Sequence, residues 1–168
     1  MKIALIGAGN LATNLGRALV EAGHTVCQVY SRTLASAETL ASKLGSRGVN
    51  SLAEVVSDAQ LYIVALKDSA LDEVLPVLLK GRSQALWVHT AGSVPMSVWP
   101  ALGLKHYGVM YPMQTFSKAR EVDFAEIPIF LEASGKMEMD ILKSVAASMS
   151  HRVYEADSEQ RRYLHLSA

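Results

Sequence analysis

Two short stretches of the chain hold residue types at spacings that suit a phosphorylated ligand. The first is "GAGNLA", Gly7 to Ala12, a G-x-G-x-x-A turn. In such a turn Gly7 permits the tight bend and Gly9 lets the backbone come close to a pyrophosphate. Ala12 is small enough for a helix to pack closely on a strand. Ala8, Asn10 and Leu11 complete the turn at a helix start, where free amides and the helix dipole attract anions. The other reading is a glycine turn kept for packing in a fold without a cofactor. The second stretch is "VYSRT", ending in Ser31, Arg32 and Thr33. Dinucleotide-binding units usually carry an acid here, which accepts hydrogen bonds from the adenosine ribose and would repel a 2′-phosphate. Ser31 removes that repulsion, and Arg32 offers a guanidinium suited to forked phosphate contacts. Ser31 and Thr33 add hydroxyl donors. The pair of stretches predicts NADP in preference to NAD; the alternative for Arg32 is a solvated side chain beside a helix cap. Methyltransferases also use glycine turns, but usually keep the acid that is missing here.

Three more loops follow apolar strand-like runs. "ALKDS" holds Ala65, Leu66 and Lys67; Lys67 suits a phosphate or carboxylate, or is a surface lysine before a helix capped by Asp68. "HTAGS" holds His89, a candidate proton donor or substrate contact because an unperturbed imidazole titrates near neutrality. It equally suits a strand-end histidine bonded to backbone. Thr90 and Ser93 suit a polar substrate, and Gly92 permits close approach. "YPMQTFSK" concentrates Gln114, Thr115, Ser117 and Lys118 in one loop, where function tends to gather. Lys118 with Arg120 suits an anionic substrate, or the two are surface charges. His89, Gln114 and Lys118 are thus the candidates for catalysis.

The elements that must position these loops are legible from periodicity. "KIALIG" and "LYIVAL" are continuous apolar runs, as in strands buried on both faces. "TVCQVY", "ALWVHT", "HYGVMYP", "IPIFLEA" and "HRVYEA" read as further strands. Leu11, Leu15, Ala18, Leu19 and Ala22 keep helical spacing and stop at Gly23. Leu34, Ala37, Ala41 and Leu44 do the same before Gly45. Ser51 and Glu54 have capping-box spacing for a short third helix. Leu71, Val74, Leu75, Leu78 and Leu79 form the next stripe, and Met137, Ile141, Val145 and Met149 a later one. Strands and helices alternating at this pitch predict an α/β fold, a doubly wound, mostly parallel sheet.

The 168 residues fit one domain and a little more, and with half of them hydrophobic they supply a real core. Lys plus Arg and Asp plus Glu both number 16, a balance that argues against nucleic acid as partner. Cys27 is the only cysteine, so no intrachain disulfide is possible, and a reducing compartment is expected. The opening "MKIALIGAGN" is too short in apolar residues for a signal peptide or a membrane span. A soluble cytoplasmic protein is expected, without membrane association. The five histidines lack metal-ligand spacing, so no metal is expected. Cys27 and Trp87 read as core, and Trp99 as loop packing. In "DSEQRRYLHLSA", Asp157 and Gln160 have capping-box spacing for a last helix. That helix suggests either the start of a further helical part or a short helix docked on the domain. Arg161, Arg162 and His165 read as its solvated face, with His165 able to face a cleft in a longer protein.

"KIALIGAGNLATNLGRALVEAGHTVCQVYSRT", "HTAGSVP", "YPMQTFSK" and "DSEQRRYLHLSA" together resemble the Rossmann-like oxidoreductases with an uncharacterised helical C-terminal domain. That family is akin to deazaflavin-dependent NADP oxidoreductases, pyrroline-5-carboxylate reductases and the 6-phosphogluconate dehydrogenase superfamily. The resemblance covers essentially the whole chain. It implies an NADP-binding Rossmann domain over residues 1–156. Residues 157–168 would then begin a helical domain that dimerises and closes the active site. In the related enzymes the loop at Ala65, Leu66 and Lys67 runs along the ribose and nicotinamide side of the cofactor. The expected function is hydride transfer between NADP and a small polar or anionic substrate. The alternatives are a module that senses the NADP redox state without catalysis, or a domain without cofactor.

Overall fold

The structure, a computed structural model, describes residues 1–167. Ala168, last residue of the expected 157–168 segment, lies outside the described residues. Among the described residues, eight strands form one sheet: β1 (Lys2–Ile6), β2 (Thr25–Tyr30), β3 (Arg47–Val49), β4 (Leu61–Val64), β5 (Leu86–His89), β6 (Tyr107–Pro112), β7 (Ile129–Ala133) and β8 (Val153–Glu155). Their order is β3-β2-β1-β4-β5-β6-β7-β8. The pairs from β3 through β6 are parallel, β7 runs antiparallel to β6, and β8 is parallel to β7. This is a doubly wound α/β sheet. The chain reverses its direction of travel across the sheet between β1 and β4, which opens a crevice beyond their carboxyl ends.

Among the described residues, five α-helices cover the faces: α1 (Asn10–Glu21), α2 (Leu34–Leu44), α3 (Asp68–Leu78), α4 (Lys136–Ala147) and α5 (Ser158–Ser167). One core lies under α1, α2 and α4 and contains Leu5, Leu15, Leu19, Leu40, Ile63 and Leu142. The other lies under α3 and contains Ile6, Tyr62, Leu75, Trp87 and Trp99. Tyr62 and Trp87, neighbours on β4 and β5, stack with ring centroids 4.2 Å apart. The Trp99 indole, fully buried, donates to the Gly108 carbonyl at 2.9 Å. Among the described residues, no helix is long and apolar enough to cross a membrane.

The glycine stops act as expected: Gly23 follows α1 with φ 94°, and Gly45 ends α2 in the left-handed region. The Asp157–Gln160 box forms in full. The Asp157 carboxylate accepts the Gln160 amide at 2.8 Å, and the Gln160 side chain accepts the Asp157 amide at 2.9 Å.

Other local expectations need correction. Ser51 and Glu54 form no capping box. Residues 52–54 make a single 3₁₀ turn closed by the Ser51 carbonyl, and the Ser51 side chain caps nothing. Lys67, not Asp68, is the N-cap residue of α3, and the Asp68 carboxylate instead accepts the Ser93 hydroxyl at 2.9 Å. Met137 is 61% exposed. The inner face of α4 is Glu138, Leu142, Val145 and Ala146, because Glu138 turns inward to meet His106 Nδ1 at 2.8 Å. β3 is too short and polar, Arg-Gly-Val, to show as a strand in the sequence.

Candidate dinucleotide site

The two loops at the switch point touch. Gly7 has φ +126°, and a Cβ placed on it would lie 2.3 Å from the Ala65 carbonyl oxygen. Gly7 donates its amide to Tyr30, and Ala65 donates to Ile6, so three strand ends are tied together at one point. Gly9 differs: a Cβ there would meet nothing within 4 Å. Gly9 therefore leaves open space above the start of α1. The first bond of α1 runs from the Thr13 amide to the Gly9 carbonyl at 3.0 Å. The amides of Asn10, Leu11 and Ala12 come before it and have no intrahelical acceptor. No side chain caps them, and α1 has no acid in its first turn. Open space, free donors and an uncompensated dipole together fit a pyrophosphate.

The end of β2 lies beside this turn. The Ser31 amide donates to Val49, and the Ser31 hydroxyl accepts the Thr33 amide at 3.3 Å. Thr33 is the N-cap residue of α2, yet its hydroxyl makes no capping bond. Arg32 is exposed and forms no ion pair among the described residues. On the other side of the crevice, Ala65 and Leu66 are half-buried and Lys67 is exposed without an ion pair. The residues present thus fit a dinucleotide, with donors and no carboxylate among Ser31, Arg32 and Thr33.

The structure separates the three candidates for catalysis. His89 is 1% exposed and packs at 6.0 Å from the Trp99 ring. Its Nδ1 accepts the Ala91 amide at 3.1 Å, so the neutral ring carries its proton on Nε2, which has no partner. Burial first, and then the charge of Arg161, lower its pKa to about 4. The near-neutral titration that recommended His89 as a proton donor is therefore corrected: the ring stays neutral over the physiological range. Gln114 is exposed at the start of its loop. Lys118 lies elsewhere, in a cleft that also takes in Ala8 and Thr13 of the phosphate turn.

The last helix holds the largest departure from expectation. Arg161 is not on a solvated face but is 1% exposed, bonded to the Ala91 and Val94 carbonyls and, at 2.7 Å, to Glu132. Arg162 does stay exposed. His165 Nδ1 is 3.0 Å from the Tyr111 hydroxyl, and the close approach expected at Gly92 is made by the His165 ring. Burial raises the Tyr111 pKa, with the Arg161 charge acting against it. Ser93, Tyr111 and His165 therefore come from the loop after β5, the end of β6 and α5. Both strand ends are carboxyl ends, the side where ligands bind in such sheets. A buried arginine carries no sequence signal separate from a solvated one, since its partners, two main-chain carbonyls and Glu132, lie far along the chain. No group of metal-ligating side chains occurs among the described residues.

An eight-stranded Rossmann-like sheet with an open glycine turn at its switch point defines a dinucleotide-binding domain. Residues 2–88, just over half of the chain, match the family described as NADP oxidoreductase, coenzyme F420-dependent. The chain belongs to this family of NAD(P)-binding oxidoreductases. A Bacteroides fragilis protein solved as a candidate NADP oxidoreductase is 57% identical, with a TM-score of 0.96 over 99% of this chain. The chain spans only 64% of that protein's length. Arogenate dehydrogenase from Synechocystis is 18% identical with a TM-score of 0.82, over 96% of this chain and 61% of its own. An imine reductase from Myxococcus stipitatus, solved with NADP+, is 18% identical with a TM-score of 0.77, over 99% of this chain and 58% of its own. The last two likenesses are of fold. No curated protein sequence matches the chain significantly.

Proposed function

We propose that this chain is the cofactor-binding part of an NADP-dependent oxidoreductase acting on a small polar or anionic substrate. The observation that carries the choice of NADP is the acid-free end of β2: the strand bonds the Gly7 turn through the Tyr30 carbonyl, and Arg32 just beyond it has no ion pair among the described residues. NADP, when bound, supplies the hydride chemistry, and the protein supplies orientation and charge. The amides of Asn10, Leu11 and Ala12 hold the pyrophosphate, with Gly7, Ala8 and Gly9 shaping the turn. Ser31, Arg32 and Thr33 hold the 2′-phosphate. Ala65, Leu66 and Lys67 line the ribose side.

The substrate lies against Ser93, Tyr111 and Gln114. Tyr111 Oη holds the proton to be exchanged, and His165, 3.0 Å away, orients it. His89 acts behind these groups: by accepting the Ala91 amide it keeps the turn between β5 and Ser93 in place. α5, whose Tyr163 and Leu166 stand exposed, begins the helical part through which two copies pair. The protein works in the cytoplasm.

The direct test is titration of the protein with NADPH and NADH, followed by nicotinamide fluorescence. NADPH should bind much more tightly. Equal affinities, or no binding of either, would overturn the reading.

A further inference from the structure

A cleft of about 200 Å³ lies between α1 and α2. Its walls include Ala8 and Thr13 on one side, Ser36 and Thr39 of α2 on the other, and two lysines, Lys43 and Lys118. No carboxylate lines it. Neither lysine forms an ion pair among the described residues. Neither α1 nor α2 has an acid in its first turn. Two ammonium groups, that of Lys43 from the last turn of α2 and that of Lys118, therefore line one space without a carboxylate, a field that favours an anion.

Lys118 reaches this cleft from a distant part of the chain, the connection between β6 and β7. A buried amide holds it there. Asn14, fully enclosed in α1, donates Nδ2 to the Ser117 carbonyl at 3.0 Å and to the Asn10 carbonyl at 2.9 Å. Its Oδ1 accepts Arg17 at 2.8 Å. On the near side of the loop, Phe116 stacks on Phe124 at 5.7 Å. On the far side, the Ala119 amide donates to the Ser117 hydroxyl at 3.2 Å. The backbone is thus pinned on both sides of Lys118, whose own side chain stays exposed.

We propose that Lys118 is a specificity residue for the cofactor: it closes over the 2′-phosphate from the β6–β7 connection while Ser31, Arg32 and Thr33 hold it from β2. Lys43 adds charge behind it. The proposal rests on the NADP reading above. It reassigns Lys118 from substrate to cofactor, and makes the loop at 113–123 part of the selectivity for a phosphorylated ribose.

The test uses the full chain and two probes, adenosine 2′,5′-bisphosphate and ADP, by calorimetry, with Lys118→Ala and Lys118→Arg. One charge-assisted contact is worth about tenfold in affinity or more. Lys118→Ala should weaken the 2′,5′-bisphosphate about tenfold, leave ADP within about twofold and flatten the salt dependence of the first probe. Lys118→Arg should recover most of the loss. No loss for either probe would overturn the proposal; so would an equal loss for both, which would place Lys118 on the pyrophosphate. A wild-type protein without preference between the probes would overturn the NADP reading itself. If Arg32→Ala loses the preference and Lys118→Ala keeps it, only the role of Lys118 fails.

Discussion

The guanidinium of Arg161 lies 2.7 Å from the Glu132 carboxylate, and both are shielded from solvent, the arginine side chain at 1% exposure and the glutamate at 17%. The same Glu132 oxygen accepts the Ser158 hydroxyl at 2.7 Å. The remaining guanidinium nitrogens bond the Ala91 and Val94 carbonyls. One ion pair therefore ties α5 to β7 and to the loop after β5, and through that loop sets where Gly92 and His165 meet. Removing one member of such a pair leaves a shielded charge without its partner, a cost of about 3 to 5 kcal/mol. Arg161→Ala should lower the free energy of unfolding in urea by about 3 kcal/mol, and hydrogen exchange should rise first in α5 and the turn at Ala91.

Gly7→Ala meets two obstacles at once. The backbone φ of +126° is hostile to a side chain, and the new Cβ would lie 2.3 Å from the Ala65 carbonyl. The strained φ alone costs about 1 to 3 kcal/mol, and the clash adds to it. The variant should melt well below the parent in a thermal scan and show no NADPH fluorescence change, because the turn that aims the amides of α1 has been pushed aside.

Arg32→Ala should leave the fold intact, since Arg32 is exposed and bonds nothing among the described residues. Loss of a forked contact with a phosphate should weaken NADPH about tenfold to a hundredfold. NADH, which lacks that phosphate, should change little. Parallel losses for both cofactors in a fluorescence titration would contradict the placing of the 2′-phosphate.

The His89 ring gives the fold an acid-sensitive point. Its ordinary pKa of 6.5 is lowered to about 4 in the folded state, by burial and then by Arg161. The folded protein thus favours the neutral ring. The associated stability is complete above about pH 6.5 and is lost as pH falls from there toward 4, by about 3 kcal/mol in all. Urea unfolding from pH 7.5 down to pH 4.5 should show this decline in the parent and a shallower one in His89→Gln. Equal slopes would mean that the ring takes up a proton without resistance.

Much of the frame was legible from short windows. β2 spans the six residues read as "TVCQVY", α1 stops at the glycine expected to stop it, and the Asp157–Gln160 box closes as spaced. Each depends on groups within a turn or two of one another, so local spacing and the free choice of φ at glycine suffice. The order of the phosphate turn is similar: Gly7 and Gly9 differ in sequence only by position, yet strand-turn-helix context already separates a bend from an open approach.

The failures share a cause too. Ser51 and Glu54 have the spacing of the Asp157–Gln160 pair, but the segment makes only one 3₁₀ turn, and Gln28, buried at the strand behind it, bonds Glu54 and Val56 instead. His89 and Arg161 are polar residues whose burial depends on Trp99, Glu132 and carbonyls many residues away. Lys118 shares a cleft with Ala8 and Thr13, and Asn14 bonds the carbonyl of the preceding Ser117 across α1. Residue type and spacing alone established the Rossmann-like class and the glycine turn. Which cations stay free, which histidine is neutral, and which loop closes over which helix were decided by the folded chain. Burial and the field at a charge are set by every segment packed around it, and those segments are neighbours only in space.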